Sequence, residues 1–223
     1  MSDRLVLDQI RFRHPGPESF SLALDRLEVR PGEVVALVGP SGSGKSTLLQ
    51  LTSGELLPTQ GSVTVDGQVV NHLPDGARRQ LRRRSIGVVA QTLSLIDYLT
   101  GLENILVVAS MQGGAADHRS RARDLAETLQ VSHVLRRRPA RMSQGERQRI
   151  AICRALLLRP PVLLCDEPTG NLDAARGERA IRLMLETARS DEAAVLIATH
   201  DDRLLPLVDR VISLETGEPE EAA

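Results

Sequence analysis

One segment constrains the fold of this chain more than any other. Gly39-Pro40-Ser41-Gly42-Ser43-Gly44-Lys45-Ser46-Thr47 fits G-x-x-x-x-G-K-[ST], and it stands between the apolar run Val34–Val38 and a helical start, Thr47-Leu48-Leu49-Gln50-Leu51. A strand that breaks into a glycine-rich loop and resumes as a helix turns several backbone N–H groups toward one point. The helix N-terminus adds partial positive charge there, which suits a phosphate. Lys45 offers a compact, mobile charge for β- and γ-phosphate oxygens, and Ser46 a hydroxyl for Mg²⁺. Composition sharpens the point: of 28 basic residues, Lys45 is the single lysine. Wherever the chain needs only positive charge it uses arginine, so a lysine at this position has a chemical task.

The remaining pattern agrees with a strand–helix alternation. Ile86–Ala90, Val162–Cys165, Val195–Ala198 and Val211–Leu214 are short apolar runs of the kind covered on both faces of a parallel sheet. Leu5–Phe12, Ser19–Val29 and Ser62–Val70 alternate more and carry the turn pairs Pro31-Gly32 and Asp66-Gly67, which predicts antiparallel strands beside the parallel core. From Thr92 to about Arg141 no strand pattern occurs. Leu102–Met111 and Asp117–Gln130 have helical spacing, broken by Gly113-Gly114, and predict an inserted helical lobe. The closing residues Glu218–Ala223 are acidic and small, and read as a frayed tail.

A second cluster of polar residues ends the apolar runs. Val162-Leu163-Leu164-Cys165 runs into Asp166-Glu167, and carboxyl ends of parallel strands are where α/β folds place ligands. Asp166 is placed to hold Mg²⁺, directly or through water, and Glu167 to polarise an attacking water. Pro168-Thr169-Gly170 keeps the segment from continuing as a helix that the acids would merely cap. His200 closes Val195–Thr199 and is a candidate to contact a γ-phosphate oxygen and orient the water. Gln91, after Ile86–Ala90, is a candidate to reach Mg²⁺ or water through its amide oxygen.

Several function classes are excluded. The net charge of −1 argues against a nucleic-acid binder acting through its bulk field, and three aromatics (Phe12, Phe20 and Tyr98) leave no base-stacking platform. No apolar run approaches the roughly 20 residues of a membrane span, and Met1-Ser2-Asp3-Arg4-Leu5 lacks the apolar segment of a signal peptide. Cys153 and Cys165 lie in apolar stretches without ligand spacing and read as small core residues of a reducing compartment. A cytoplasmic chain is therefore expected. The arginine clusters, Arg78, Arg79 and Arg82–Arg84, then Arg136–Arg138 with Arg141, read as solvated helix faces or as surfaces near an anionic membrane or acidic partner.

Taken together these residues resemble the ATP-binding subunits of ABC transporters over nearly the whole chain. Met142-Ser143-Gln144-Gly145-Glu146, followed by Arg147-Gln148-Arg149, resembles the signature motif that separates this family from other P-loop proteins. The resemblance implies an α/β fold: a P-loop NTPase (RecA-like) core with an antiparallel β subdomain and an inserted α-helical subdomain. Residues 1–91 and 159–223 would form the core, and about 92–158 the helical signature subdomain. It further implies ATP and Mg²⁺ as ligands, and a homodimer in the ATP-bound state. In that head-to-tail dimer Ser143, Gly145 and Glu146 would meet the nucleotide held by the other subunit, and Asn171-Leu172-Asp173 would couple the two sites. His14 stands where the family stacks an aromatic on adenine, and Gln144 replaces a signature glycine.

Leu93-Ser94-Leu95-Ile96-Asp97-Tyr98-Leu99-Thr100 and Pro168–Asp173 look like the lipoprotein-release, macrolide-export and FtsE-type branch. That likeness implies an integral membrane permease partner, with the lobe after Gln91 receiving its coupling helix. A periplasmic or extracellular accessory protein is a further partner of this kind, nucleic acid is not, and the chain would sit on the inner face of the cell membrane. An FtsE-type regulatory ATPase of cell division, moving no substrate, is the alternative. Twin-cassette repair or translation proteins do not fit 223 residues, and a small-molecule kinase gives no reason for Ser143–Glu146.

Overall fold

Strands whose side chains are apolar on both faces need a layer on each side, and helices supply one of them. The computed structural model describes residues 3–14, 21–92, 95–169 and 174–214. In chain order its strands are β1 (Leu5–Arg13), β2 (Ser21–Val29), β3 (Val34–Val38), β4 (Gln60–Val65), β5 (Gln68–Val69), β6 (Ile86–Val89), β7 (Val162–Asp166), β8 (Ala194–Ala198) and β9 (Arg210–Ser213). Its α-helices are α1 (Lys45–Thr52), α2 (Asp75–Ser85), α3 (Gly101–Ser110), α4 (Arg119–Thr128), α5 (Gln144–Leu156) and α6 (Ala174–Ser190).

Strands β6-β7-β8-β3-β9 form a parallel sheet, and β2-β1-β4-β5 an antiparallel one. Alternation along each parallel strand divides the core in two. Leu163 and Cys165 of β7, with Val195 and Ile197 of β8, face a cluster built with Ile105, Leu125, Ile152 and Met184 of the helices. Val162 and Leu164, with Leu196 and with Val35 and Leu37 of β3, face a second cluster. That one includes Leu48 and Leu51 of α1 and Leu5, Leu7 and Ile10 of the antiparallel sheet. The continuous apolar runs of β3, β7 and β8 thus have a simple cause, since each of these strands feeds two cores; the edge strand β9, expected to be covered on both faces, instead leaves Arg210, Val211 and Ser213 exposed. Truncating a fully buried leucine such as Leu163 to alanine would cost about 2–5 kcal/mol.

Two local readings change. Ser62–Val70 is not one strand but the β4–β5 hairpin. Asp66 at φ 46° and Gly67 at φ 77° both take left-handed backbone, the geometry of a tight hairpin turn. The run expected to continue through Ala90 pairs only to Val89. The other strand and helix expectations hold to within a few residues. Ser19, Phe20, Leu93, Ser94, Gly170, Asn171-Leu172-Asp173 and the tail Glu218–Ala223 lie outside the described residues.

Helices α3 and α5 begin with the same device. Thr100 and Glu103, and likewise Ser143 and Glu146, form reciprocal capping boxes, each satisfying two N–H groups the helix itself leaves open. Among the described residues no helix is long and apolar enough to cross a membrane.

Candidate nucleotide site

The site forms where the parallel strands end. Beyond Val38 the chain enters the glycine loop, and Gly39 passes so close to β9's exit that a Cβ there would lie 2.4 Å from the Leu214 carbonyl oxygen. Gly44 caps α1 at φ 95° with no side-chain cap bond, so the first turn of α1 keeps its N–H groups for an external acceptor. Ser43 is fully buried beneath the loop, with no partner for its hydroxyl. Lys45 Nζ folds back and donates to the carbonyls of Gly39 (2.8 Å) and Pro40 (2.9 Å).

Around the loop lies an open cleft of about 790 Å³, in the size range of small-molecule sites. Gly39, Pro40, Ser41, Gly42, Gly44, Lys45, Ser46 and Thr47 line one side, and Gln91, Asp166, Glu167, His200 and His14 complete it. Residues far apart in sequence therefore share one space because β3, β6, β7 and β8 all end at the same sheet edge. His14 sits on the wall with its ring edge-on to Phe12, centroids 4.8 Å apart.

The carboxylates have different surroundings. Asp166 accepts from Ser46 Oγ at 3.2 Å. Burial pushes its carboxyl above the usual range; the Ser46 hydroxyl opposes this, Glu167 adds to it, and Lys45 opposes it again. A hydroxyl beside a carboxylate beneath a phosphate loop is a donor set that fits Mg²⁺, which keeps few protein ligands and fills the rest from water and phosphate. Glu167 stands at φ 45°, a left-handed conformation that a non-glycine residue keeps only under constraint. One carboxylate oxygen is 2.7 Å from His200 Nδ1, while the other, Oε2, is buried without a partner. His200, expected to meet a phosphate, here spends one ring nitrogen on Glu167 and remains largely exposed on the cleft.

Ser143, Gly145 and Glu146 do not line this cleft. They lie at the N-cap and first turn of α5, where Ser143 and Glu146 line a separate depression of about 350 Å³. Burial works to raise the Glu146 carboxyl, but the Ser143 N–H and His133 outweigh it and hold the group below the usual range. His133 Nε2 lies 2.7 Å from Glu146 Oε1. Gln144, where the signature has glycine, is exposed. The two cysteines are buried, and burial pushes both thiols well up, so neither is reactive.

Two further residues, Asp201 and Gln148, support the site. Asp201 holds Arg203 through both carboxylate oxygens (2.7 and 2.6 Å). That bond, with help from Thr169 and against burial, lowers its carboxyl to about 2. It links the turn after Glu167 to the segment after His200. Gln148 reaches from α5 to the Pro168 carbonyl at 2.8 Å. For Asp201 the Asp-x-Arg spacing is a faint clue; Gln148 stands in the run that follows the signature residues, but nothing local names Pro168 as its partner.

Known proteins share this arrangement. The family model described as ABC transporter matches residues 24–170. A lipoprotein-releasing system ATP-binding protein LolD of Pseudomonas fluorescens is 41% identical over 222 residues, covering 97% of this chain and 98% of its own. LolD 1 of Rhodospirillum rubrum is 44% identical over 192 residues, covering 86% and 85%. Among solved structures, the dimeric ATP-binding cassette MJ0796, bound to ADP and Pi in a post-hydrolysis state, superposes with a TM-score of 0.86 at 34% identity and 97% coverage of both chains. With the whole glycine loop, the strand-end carboxylates and α5 inside the matched region, the chain belongs to the ABC transporter family, as one of its ATP-binding, ATP-hydrolysing subunits.

Proposed function

We propose that the cleft of Lys45 binds MgATP and that Glu167 is the general base for its hydrolysis. The carrying observation is the Glu167 carboxylate: it lies in the same cleft as the phosphate loop, with one oxygen held by His200 and the other buried and unpartnered. A carboxylate on the wall of that cleft, with one oxygen not yet committed to a donor, suits acceptance of a proton from a water beside the γ-phosphate once the side chain turns toward it. The N–H groups of α1 and the Lys45 ammonium take the phosphate charge, with Lys45 exchanging the Gly39 and Pro40 carbonyls for phosphate oxygens. Ser46 and Asp166 would hold Mg²⁺, with Gln91 beside them, and the ion would supply neutralisation of phosphate charge. His200 orients Glu167, and His14 gives the base a small stacking face.

The composite site is read the same way. Ser143 and Gly145 lie outside their own cleft, which supports their acting on the nucleotide of a second copy in a head-to-tail homodimer. The dimeric state of MJ0796 supports this. Residues 92–158 then act as the lobe that joins this contact to a membrane permease. A groove of about 290 Å³ supports that partner: Val88, Val108, Met111 and Leu158 form an apolar floor, and Arg82–Arg84 a basic rim. Val88 and Met111 are 45% and 59% exposed there, so the groove suits a short amphipathic segment with acidic flanks. The names of the LolD relatives support lipoprotein release as the process served, from the cytoplasmic face of a membrane.

Glu167→Gln tests the central assignment. ATP affinity is expected to stay close to that of the parent chain while phosphate release slows at least about tenfold. Near-parental phosphate release by the variant would remove Glu167 as the base.

A further inference from the structure

Gln148 lies outside the nucleotide cleft, yet it is only 2% exposed and ties two functional elements together. It stands on α5, about 7.5 Å along the helix axis from the Ser143 cap at 1.5 Å per residue. Its Nε2 donates to the Pro168 carbonyl at 2.8 Å. The amide orientation follows from chemistry: a carbonyl only accepts, so the nitrogen must face it. The amide oxygen, Oε1, is buried and has no partner among the described residues. A leucine of similar size would fill the same space without that desolvation penalty, so packing alone does not account for a glutamine here.

The carbonyl it holds belongs to the residue after Glu167. Glu167 keeps its left-handed backbone because several tethers fix the turn. Its own N–H donates to the Ala198 carbonyl at 2.9 Å, and His200 holds its side chain. Thr169, one residue beyond Pro168, bonds to Asp201. These three come from β8 and the residues that follow it. Gln148 alone among the tethers named here comes from α5, the helix whose first turn carries Ser143. A helix is stiff over two turns, so a shift of that first turn carries Gln148 with it. The Pro168 carbonyl follows its donor, and the backbone that aims the Glu167 carboxylate turns with it.

We infer that Gln148 is a positioning residue that reports the seating of the α5 first turn to Glu167 through the Pro168 carbonyl. Hydrolysis then proceeds at full rate only when Ser143 is engaged. The inference rests on the reading of Glu167 as the base and of Ser143 as a nucleotide contact.

The test is steady-state ATP hydrolysis by the full chain. Gln148→Leu keeps the volume and removes the donor. Its kcat should fall about tenfold or more, as displacement of a reacting group by a fraction of an ångström allows, with KM for ATP within about twofold. Gln148→Glu adds a signature that a packing role does not give. A carboxyl buried at this position holds its proton above the ordinary range, and only the protonated form donates to Pro168. Its kcat relative to the parent should therefore rise as pH falls from about 8 to about 6, while the Gln148→Leu ratio stays level. A folded Gln148→Leu protein with parental kcat overturns the inference, as does a flat pH ratio for Gln148→Glu. Should Gln148→Leu fail to fold, the Gln148→Glu ratio decides alone. Glu167→Gln measured alongside separates the two failures. Slow Glu167→Gln with normal Gln148→Leu overturns the positioning role only, whereas normal turnover by Glu167→Gln overturns the base assignment and the positioning role with it.

Discussion

Helices α1 and α5 both start at a proposed phosphate contact, yet their first turns are finished in opposite ways. Helix α1 begins at Gly44 with no side-chain cap and no acidic residue in its first turn. The adjacent Lys45 donates only to loop carbonyls, with Asp166 near enough to feel its charge. Helix α5 is closed on itself: the Ser143 hydroxyl accepts from Glu146 N–H, and the Glu146 carboxylate accepts from Ser143 N–H. An open first turn is a binding site in waiting, whereas a capped one is already satisfied and already carries a negative charge. Nucleotide should therefore bind the cleft of a single chain tightly, and closure onto α5 of a second copy should be weaker and conditional. The difference separates the two steps of a cycle by local chemistry alone.

The largest test of that contrast is Lys45→Ala. Removing the one mobile cation at the open turn should weaken ATP binding tenfold or more, since hydrogen bonds to charged groups contribute about 1.5–3 kcal/mol each. A fluorescence titration matching that of the parent chain would break the contrast at its stronger side. Next in size is a mixing experiment. Ser143→Arg and Lys45→Ala chains are each expected to be inactive. At equal amounts about half of the randomly paired dimers are mixed, and each mixed dimer carries one sound site out of two, so activity should return to about a quarter of the parental level. No recovery, with mixed dimers demonstrated, would place α5 outside the site.

The smallest effect concerns the cap itself. Glu146→Gln keeps the hydrogen-bonding geometry and removes the charge, which should lower stability by roughly 0.3–1 kcal/mol. Because the folded Glu146 carboxyl lies below its ordinary value, its contribution is complete above about pH 4.3. It is lost as pH falls through the depressed folded value. Thermal melts of the two proteins should therefore differ near neutral pH and converge in acid. An equal gap at pH 7 and near pH 3 would show that the cap contributes through shape and not charge.

What the sequence reveals follows the range of the physics. The glycine loop, Asp166-Glu167 and the Ser143-x-x-Glu146 spacing are contiguous, so local pattern exposes them. The two-sided strands are equally plain, because β3, β8 and β7 up to Cys165 are apolar throughout and turn successive residues to opposite faces. Helix α2 left a weak signal: of its side chains only Leu81 and Ser85 are buried, while Arg78 and Arg79 pair with Asp75 and Arg82 bonds to the Gly54 carbonyl. The His133–Glu146 pair and the Gln148–Pro168 bond join residues 13 and 20 positions apart. No pattern of period two or 3.6 encodes such partners; only the packing of α5 against the sheet brings them together.

Lys45 has a consequence that lies in covalent chemistry. As the single lysine it is the only side-chain primary amine on the molecule, and it is tucked against two loop carbonyls at the floor of the cleft. An acylating or carbamylating reagent directed at lysine thus has one side-chain address, and occupancy of the cleft controls access to it. Stoichiometry of such a modification and loss of activity would run one to one, with no surface lysines to blur the count. The arginines elsewhere keep the surface charged while leaving it inert to that chemistry, so the most exposed cations and the most consequential one respond to different reagents.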